Sequence, residues 1–410
     1  WHMRRRVSAE KRGISMDAMK SQGQMAQDAS QAWDLPFLRK KFQPPHMKGR
    51  YALVPERRIT PQVMNLDAWN ICLVASSAGT GKTALLSQWY DACAQRAGCL
   101  AFWMSLDAHD ASPLRFTRAL VEVFAAHDMR FREEVSRLKD SADAEALAIT
   151  LINCADIAFD GIEHVVVFMD GYEQAASPEL DEMIAFFNRY TAENMRFVIA
   201  GTYIPSALSD LAMECEVLEF GARDTQWDEE RLGMLREQLG LMQADIAAIG
   251  SYDLAQTPLG LSFIRYALDR QSGAKPASEI LRACCRRFFE RELVERVSPD
   301  DMELLICASI ANEVSSDLCD LLMGTQDAAI RLASLEHRNL FVAATPQTDT
   351  WELAPQLRVY LRDLLLEREL TWLQKLAMKT ANWYQEQNNM PLHGKYLAMG
   401  VDPFFLESTV

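Results

Sequence analysis

The run Ser76-Ser77-Ala78-Gly79-Thr80-Gly81-Lys82-Thr83 sets two glycines, a lysine and a hydroxyl in the order in which a backbone can hold a phosphate. Gly79 and Gly81 let the amides curl around a β-phosphate. Lys82 is placed to neutralise β- and γ-oxygens, and the Thr83 hydroxyl to ligate Mg²⁺. The competing reading is a glycine-rich turn with an incidental lysine, although G-x-G-K-[ST] arises by chance in a chain this long only about 1% of the time. The fuller pattern G-x-x-x-x-G-K-[ST] is incomplete, because Ser76 stands where its first glycine belongs. A loop of this kind needs an acidic strand end to complete the Mg²⁺ shell. Val165-Val166-Val167-Phe168-Met169 leads into Asp170, which puts a carboxylate at the carboxyl edge of a buried strand. Alone, such an aspartate is usually a strand cap; paired with the upstream loop it becomes the expected second metal ligand.

These residues meet only if strands and helices alternate around them. Asn70 to Ala75 reads as a strand running into the loop, and helical spacing begins at Thr83 and Ala84 with Leu85, Leu86 and Trp89 on one side. Leu100 to Met104, His164 to Met169 and Arg196 to Ala200 read as further buried strands. Leu114 to Phe124 and Leu180 to Tyr190 are amphipathic. The implied fold class is α/β, a doubly wound, mostly parallel sheet with ligands at the carboxyl ends of its strands. Beyond Phe220 the pattern turns helical: Asp228 to Leu239, Ile246 to Arg270 with a break near Pro258, Ala277 to Val297, Pro299 to Ala311 and Ala328 to His337. Asn339 to Ala344, a turn over Thr345 to Thr350 and Trp351 to Leu353 read as a β-hairpin. With the helix expected over Gln356 to Arg368, they make a winged helix. Another helix starts at Leu370.

Composition narrows the partners. The net charge is −15, yet the first 60 residues hold 13 Lys/Arg against five Asp/Glu, so the rest of the chain is strongly acidic and a poor nucleic-acid surface. No apolar run of 18 residues predicts a membrane span, and no apolar stretch follows Arg4-Arg5-Arg6 to make a secretory signal. Nine cysteines without a CxxC pair suit reduced thiols and a cytoplasmic location. Residues 1–41, polar and rich in Met and Gln, are expected to be a flexible arm. Phe42 to Arg58, with Pro44-Pro45 and Val54-Pro55, reads as an extended lead-in.

Three blocks carry a family resemblance: Val74 to Trp89; Trp103-Met104-Ser105-Leu106-Asp107 with Asp110, Pro113, Arg115 and Phe116; and Asp170-Gly171-Tyr172. They resemble the nucleotide-binding module of MalT-type, LuxR-family transcription activators within the STAND class of signalling ATPases. Asn339 to Arg362 resembles that family's wing and helix, and Phe42 to Pro45 with Val54 to Arg57 its N-terminal lead-in. The resemblance implies a P-loop domain over 42–218, a helical subdomain over 219–276, a winged helix over 277–368 and a helical arm from 369 to 410. It implies ADP or ATP with Mg²⁺ at Ala78, Gly79, Thr80, Gly81, Lys82, Thr83, Ala84 and Asp170, with Thr83 and Asp170 as metal ligands. It places Pro258 against the adenine, although a helix-starting proline is the plainer reading. Arg57 and Arg58 are expected beside the base or ribose, or simply in solvent. It further implies an inducer bound by a sensor domain beyond Val410, DNA bound only through a C-terminal helix-turn-helix, and nucleotide-dependent self-association, so the chain is expected to be a truncated regulator.

Three positions depart from the family's pattern. Gly171 stands where a second acid usually follows the aspartate, Gly201-Thr202-Tyr203-Ile204-Pro205 lacks the arginine often found before the proline, and Ala354-Pro355 replaces a His-Pro pair. These losses fall on catalysis more than on affinity, so binding with slow or absent hydrolysis is expected. Glu173 is the nearest substitute acid. The alternatives are a STAND signalling or defence ATPase with no DNA-binding domain, a conventional P-loop enzyme, and an interaction protein with a decayed loop.

Overall fold

Apolar runs alternate with amphipathic ones from Ile71 onward. In the computed structural model, which describes residues 37–45, 54–138, 143–249, 253–273, 275–293, 296–311 and 313–401, they form one parallel sheet with helices on both faces. In chain order these are β1 (Ile71–Ala75), α1 (Lys82–Ala94), β2 (Cys99–Ser105), α2 (Pro113–Ala125), α3 (Arg130–Ser136), α4 (Ala144–Ala158), β3 (His164–Asp170), α5 (Pro178–Tyr190), β4 (Met195–Gly201) and β5 (Val217–Phe220). The spatial order is β2-β3-β4-β1-β5, and every pairing is parallel. Side chains of the strands alternate between two cores. Cys72, Val74, Val166 and Phe168 meet Leu86 and Trp89 of α1, while Leu73, Val165, Val167 and Ile199 meet Phe116, Leu151 and Ile184 of α2, α4 and α5. Cover on both faces is why these strands read as unbroken apolar runs.

Register decides where the site lies. Ala75 pairs with Gly201, Asp170 with Ala200, and Ser105 with Asp170, so the carboxyl ends of β1 to β4 form a single edge. The loop after β1 and the acid ending β3 therefore open on the same side, with β4 between their strands. β5 escaped the sequence reading because it is a four-residue edge strand, only partly buried and interrupted by Glu219.

Residues 1–36 of the expected arm lie outside the described residues. The final part of that stretch is packed on this domain: a turn over Arg39–Phe42 brings the buried Lys41 to Asp107, at 2.5 Å, and to Asp110, and Arg115 sits 3.8 Å over the Phe37 ring. Asp107 and Asp110 also cap each other's backbone across the turn Ala108–Ala111. The aspartates of the distinctive WMSLDAHD block thus hold a corner of the fold.

The remainder is α6 (Glu229–Gln238), α7 (Gln243–Ile249), α8 (Pro258–Arg270), α9 (Ala277–Leu293), α10 (Pro299–Ala308), β6 (Val314–Ser315), α11 (Ser316–Met323), α12 (Ala328–His337), β7 (Val342–Ala344), β8 (Thr350–Leu353), α13 (Pro355–Leu366), α14 (Leu370–Glu386) and α15 (Met390–Val401). β6, β8 and β7 form an antiparallel sheet beside helices α9 to α13, which is a winged helix. Leu261 and Ile264 of α8 share one core with Phe289, Leu305, Leu335 and Leu357, so the helices after the sheet and the winged helix pack as a unit. Two expectations are corrected here. The break expected near Pro258 is there, with Pro258 the first residue of α8, but the helix before it runs over Gln243–Ile249 and ends well short of the proline. The hairpin strand predicted from Asn339 starts at Val342, because Asn339 and Phe341 take left-handed φ of 50° and 62°. All nine cysteines are free, and eight are buried.

Candidate nucleotide site

The loop between β1 and α1 owes its shape to two left-handed glycines and a hydroxyl pair. Gly79 has φ 82°, and a Cβ there would sit 2.7 Å from the Leu259 side chain, so no other residue fits both the backbone and the neighbour. Ser76 Oγ and Thr80 Oγ1 are 2.8 Å apart, and Thr80 Oγ1 donates to Ser77 O at 3.0 Å. α1 then starts at Lys82 with no side-chain cap and no acid in its first turn, which leaves its positive end available to an anion.

Ala78, Gly79, Gly81, Lys82, Thr83 and Ala84 line a cavity of about 400 Å³ together with Asp170 and Pro258. Thr80 lies behind that wall, bonded to the loop itself. Arg57 and Arg58 do not line it. Arg57 is three-quarters exposed near Glu230, and Arg58 donates to the carbonyls of Asp224 and Gln226, steadying the segment between β5 and α6. The polar members of the cavity converge: Thr83 Oγ1 donates to Asp170 Oδ2 at 2.9 Å across 87 residues of sequence. Lys82 Nζ donates to the Ser76 and Ser77 carbonyls at 2.5 and 2.9 Å. Burial lowers Lys82 to about 8 and, with Arg296 opposing its charge, outweighs the attraction of Glu173, Asp170 and Glu292. Burial likewise raises Asp170 to about 6 against the Thr83 hydrogen bond, with Glu173 adding to the rise.

Gly171 explains the missing second acid. Its φ of 83° turns the chain sharply out of β3 into a single turn over Tyr172–Gln174. That turn delivers Glu173 into the cavity, where its Oε2 accepts from Thr202 N at 3.0 Å at the end of β4. Glu173 is thus the second carboxylate lining the cavity, beside Asp170.

Two residues went unnoticed in the sequence. Trp227 lines the cavity, donates from its indole N–H to Thr80 O at 2.8 Å and lies against Gly81. Arg231 stacks 4.2 Å over that indole, is only 6% exposed, and has a buried Nε with no hydrogen-bond partner. The sole signal was an aromatic before the Asp228 N-cap, which no motif marks. Val54, Leu235, Pro258 and Leu259 supply an apolar wall. Val54 is held there by Gln88, whose Nε2 donates to Val54 O at 3.0 Å. Pro258 is both things the sequence allowed, a helix-starting proline and a cavity wall.

A Mg²⁺ ion fits the donors present. Thr83 and Asp170 offer two hard oxygens side by side, and Mg²⁺ characteristically takes one or two protein oxygens, leaving the rest to phosphate and water. Among the described residues no group of three or more His, Cys, Asp or Glu is placed to hold a metal ion.

The fold and the site define a P-loop module joined to a winged helix. Residues 290–372 match the family model described as the MalT winged helix domain. The HTH-type transcriptional regulator MalT of Yersinia enterocolitica is 23% identical over 306 residues, covering 72% of this chain and 33% of that protein. MalT of Klebsiella pneumoniae is 21% identical, covering 73% and 33%. The serine/threonine-protein kinase PknK of Mycobacterium tuberculosis is 20% identical, covering 76% and 28%. Residues 290–372 are thus similar to a MalT winged helix domain, and the chain spans about a third of the length of the curated relatives it matches. Among solved structures, the STAND protein PH0952 of Pyrococcus horikoshii aligns at 12% identity and TM-score 0.34, covering 87% of this chain and 50% of that one. CDC6P of Pyrobaculum aerophilum aligns at 15% and 0.37, covering 77% and 96%. Both scores fall below 0.5, so the fold description rests on the sheet itself. Among the described residues no helix is long and apolar enough to cross a membrane.

Proposed function

We propose that this chain is the adenine-nucleotide-controlled switch of a cytoplasmic LuxR/MalT-like transcriptional regulator, binding ADP or ATP with Mg²⁺ and hydrolysing slowly or not at all. The observation that carries the reading is the contact of Thr83 with Asp170 beside Lys82, in a cavity whose other wall is apolar. In this reading the free amides of the loop and of α1 hold the diphosphate. Lys82 exchanges its two carbonyl partners for phosphate oxygens. Thr83 and Asp170 would hold Mg²⁺, which would supply charge neutralisation to the bound phosphates. The base lies against Pro258, Leu259 and Val54, and the unpartnered Arg231 Nε–H donates to the nucleotide. Turnover is slow because Glu173 is already engaged by Thr202 N–H and Ala354 offers no imidazole. The divisions 42–218, 219–276, 277–368 and 369–410 belong to the same proposal, as do an inducer-sensing domain, a DNA-binding helix-turn-helix beyond Val410 and nucleotide-dependent self-association.

Chromatography of nucleotide released from the denatured protein tests it. ADP or ATP is expected near one equivalent from the parent chain and little from Lys82→Ala. Fast ATP hydrolysis abolished by Asp170→Asn would overturn the slow-turnover part, and a nucleotide-free chain with no thermal response to ADP would overturn the whole. PknK favours a second reading: its name is that of a kinase, so a module of this sequence type also occurs beside an effector other than a transcription factor. The gene sequence downstream of Val410 separates the two.

A further inference from the structure

Beyond Glu173 lies a second cavity, of about 1080 Å³, where the carboxyl ends of β3 and β4 face the winged helix. Glu173 lines both cavities, so they are neighbours across one side chain. The far wall is basic: Arg291, Arg296, His337 and Arg338 come from the winged helix, with Glu292 as its acid. Arg296 reaches furthest. It sits between α9 and α10, its Nη2 donates to Thr202 Oγ1 at 2.7 Å, and its Nη1 is 3.8 Å from Glu292. Thr202 N in turn donates to Glu173, so the guanidinium stands one residue from the acid of the nucleotide cavity. Its charge is felt by Lys82, whose cationic form it opposes. Arg338 Nη1 donates to the Arg296 carbonyl at 2.8 Å, tying this position to α12.

We propose that Arg296 tells a nucleoside triphosphate from a diphosphate and thereby couples the terminal phosphate to the winged helix. The inference rests on the nucleotide reading above. A terminal phosphate projecting past Lys82 offers charged oxygens in place of a neutral hydroxyl and a distant carboxylate, and a planar guanidinium can take two of them at once. A diphosphate ends short of that reach. Arg296 binds the terminal phosphate directly and passes that contact to the winged helix through its own backbone and Arg338.

Calorimetric titration of the 410-residue chain with Mg²⁺-ADP and with a non-hydrolysable Mg²⁺-ATP analogue tests it. In Arg296→Ala the analogue should bind about 10- to 100-fold more weakly, while ADP affinity stays within about twofold. Arg296→Lys, which keeps the charge without the fork, should fall between. Equal losses for both nucleotides in the Ala and Lys variants would mean a merely structural role and overturn the inference, as would unchanged analogue affinity. In either case a parent chain that binds ADP leaves the nucleotide reading standing. A parent chain that binds neither ligand overturns both.

Discussion

Burial raises the Asp170 carboxyl to about 6, against the hydrogen bond from Thr83, and Glu173 adds to the rise. The folded carboxyl therefore binds its proton more tightly than the unfolded one, and stability is lost as pH climbs from about 4 to about 6. Asp170→Asn removes that cost and keeps an acceptor for Thr83. At pH 7 its nucleotide-free form should be more stable than the parent, by about 3 kcal/mol, while its Mg²⁺-dependent nucleotide affinity falls. Melting curves at pH 4 and 7 check this, and a variant no more stable at pH 7 than the parent would refute it. Lys82, lowered by burial to about 8, sets the other limit, because phosphate needs its cationic form. Mg²⁺-nucleotide affinity should peak between about pH 6 and 8 and fall toward tenfold per unit on either side, as titrations from pH 5 to 9 would show. The loop and Asp170 could be read from sequence because each sits at the end of an apolar run, where chain order and sheet edge coincide. Trp227 and Arg231 could not. They reach the cavity through the packing of α6 onto the loop, which leaves no periodic trace.

The N-terminus of α8 is the element that closes the cavity. Thr257 Oγ1 accepts from Gly260 N at 3.0 Å, capping the helix that places Leu259 against Gly79 and Pro258 in the cavity wall. The same hydroxyl lies 3.4 Å from Oε1 of the buried Gln356 at the start of α13. Thr257→Ala should cost about 1 kcal/mol of stability and weaken nucleotide binding severalfold, and Thr257→Ser should restore both. Denaturant melts and calorimetry on the two variants decide it; an alanine variant with parental affinity would show that the cap does not position the wall. Gln356 thereby joins the first turn of α13 to the cap of the helix that walls the cavity. Strands β1 to β4 were legible as elements, since burial on both faces demands unbroken apolar runs. β5, β6 and α11 were not, being too short for periodicity to show. Pro258 announced a break, but the length of the gap before it depends on tertiary contacts.

At the scale of the whole molecule, the parallel sheet with its two cores stands on one side and the single core of the helices and winged helix on the other. The nucleotide cavity and the Arg296 cavity both lie between the two sides. Fold class was readable from sequence because strands alternate with helices in the first block and helices with a hairpin follow in the second, and module type was read from the resemblance of the motifs. The contacts between the two sides were not readable, since each joins residues far apart in the chain, such as Thr202 with Arg296. The segment between β5 and α6 runs from one side to the other, and Trp227 rides on it with its indole N–H on Thr80 O and Arg231 against its face. Any separation of the two halves draws that ring out of an apolar seat into water. Trp227 is therefore an intrinsic fluorophore placed between the phosphate loop and the helical half. Its emission should shift to the red as the module opens and return as it closes, and subtracting the spectrum of Trp227→Phe isolates this one among nine tryptophans. Nucleotide state could thus be followed in real time, without a label.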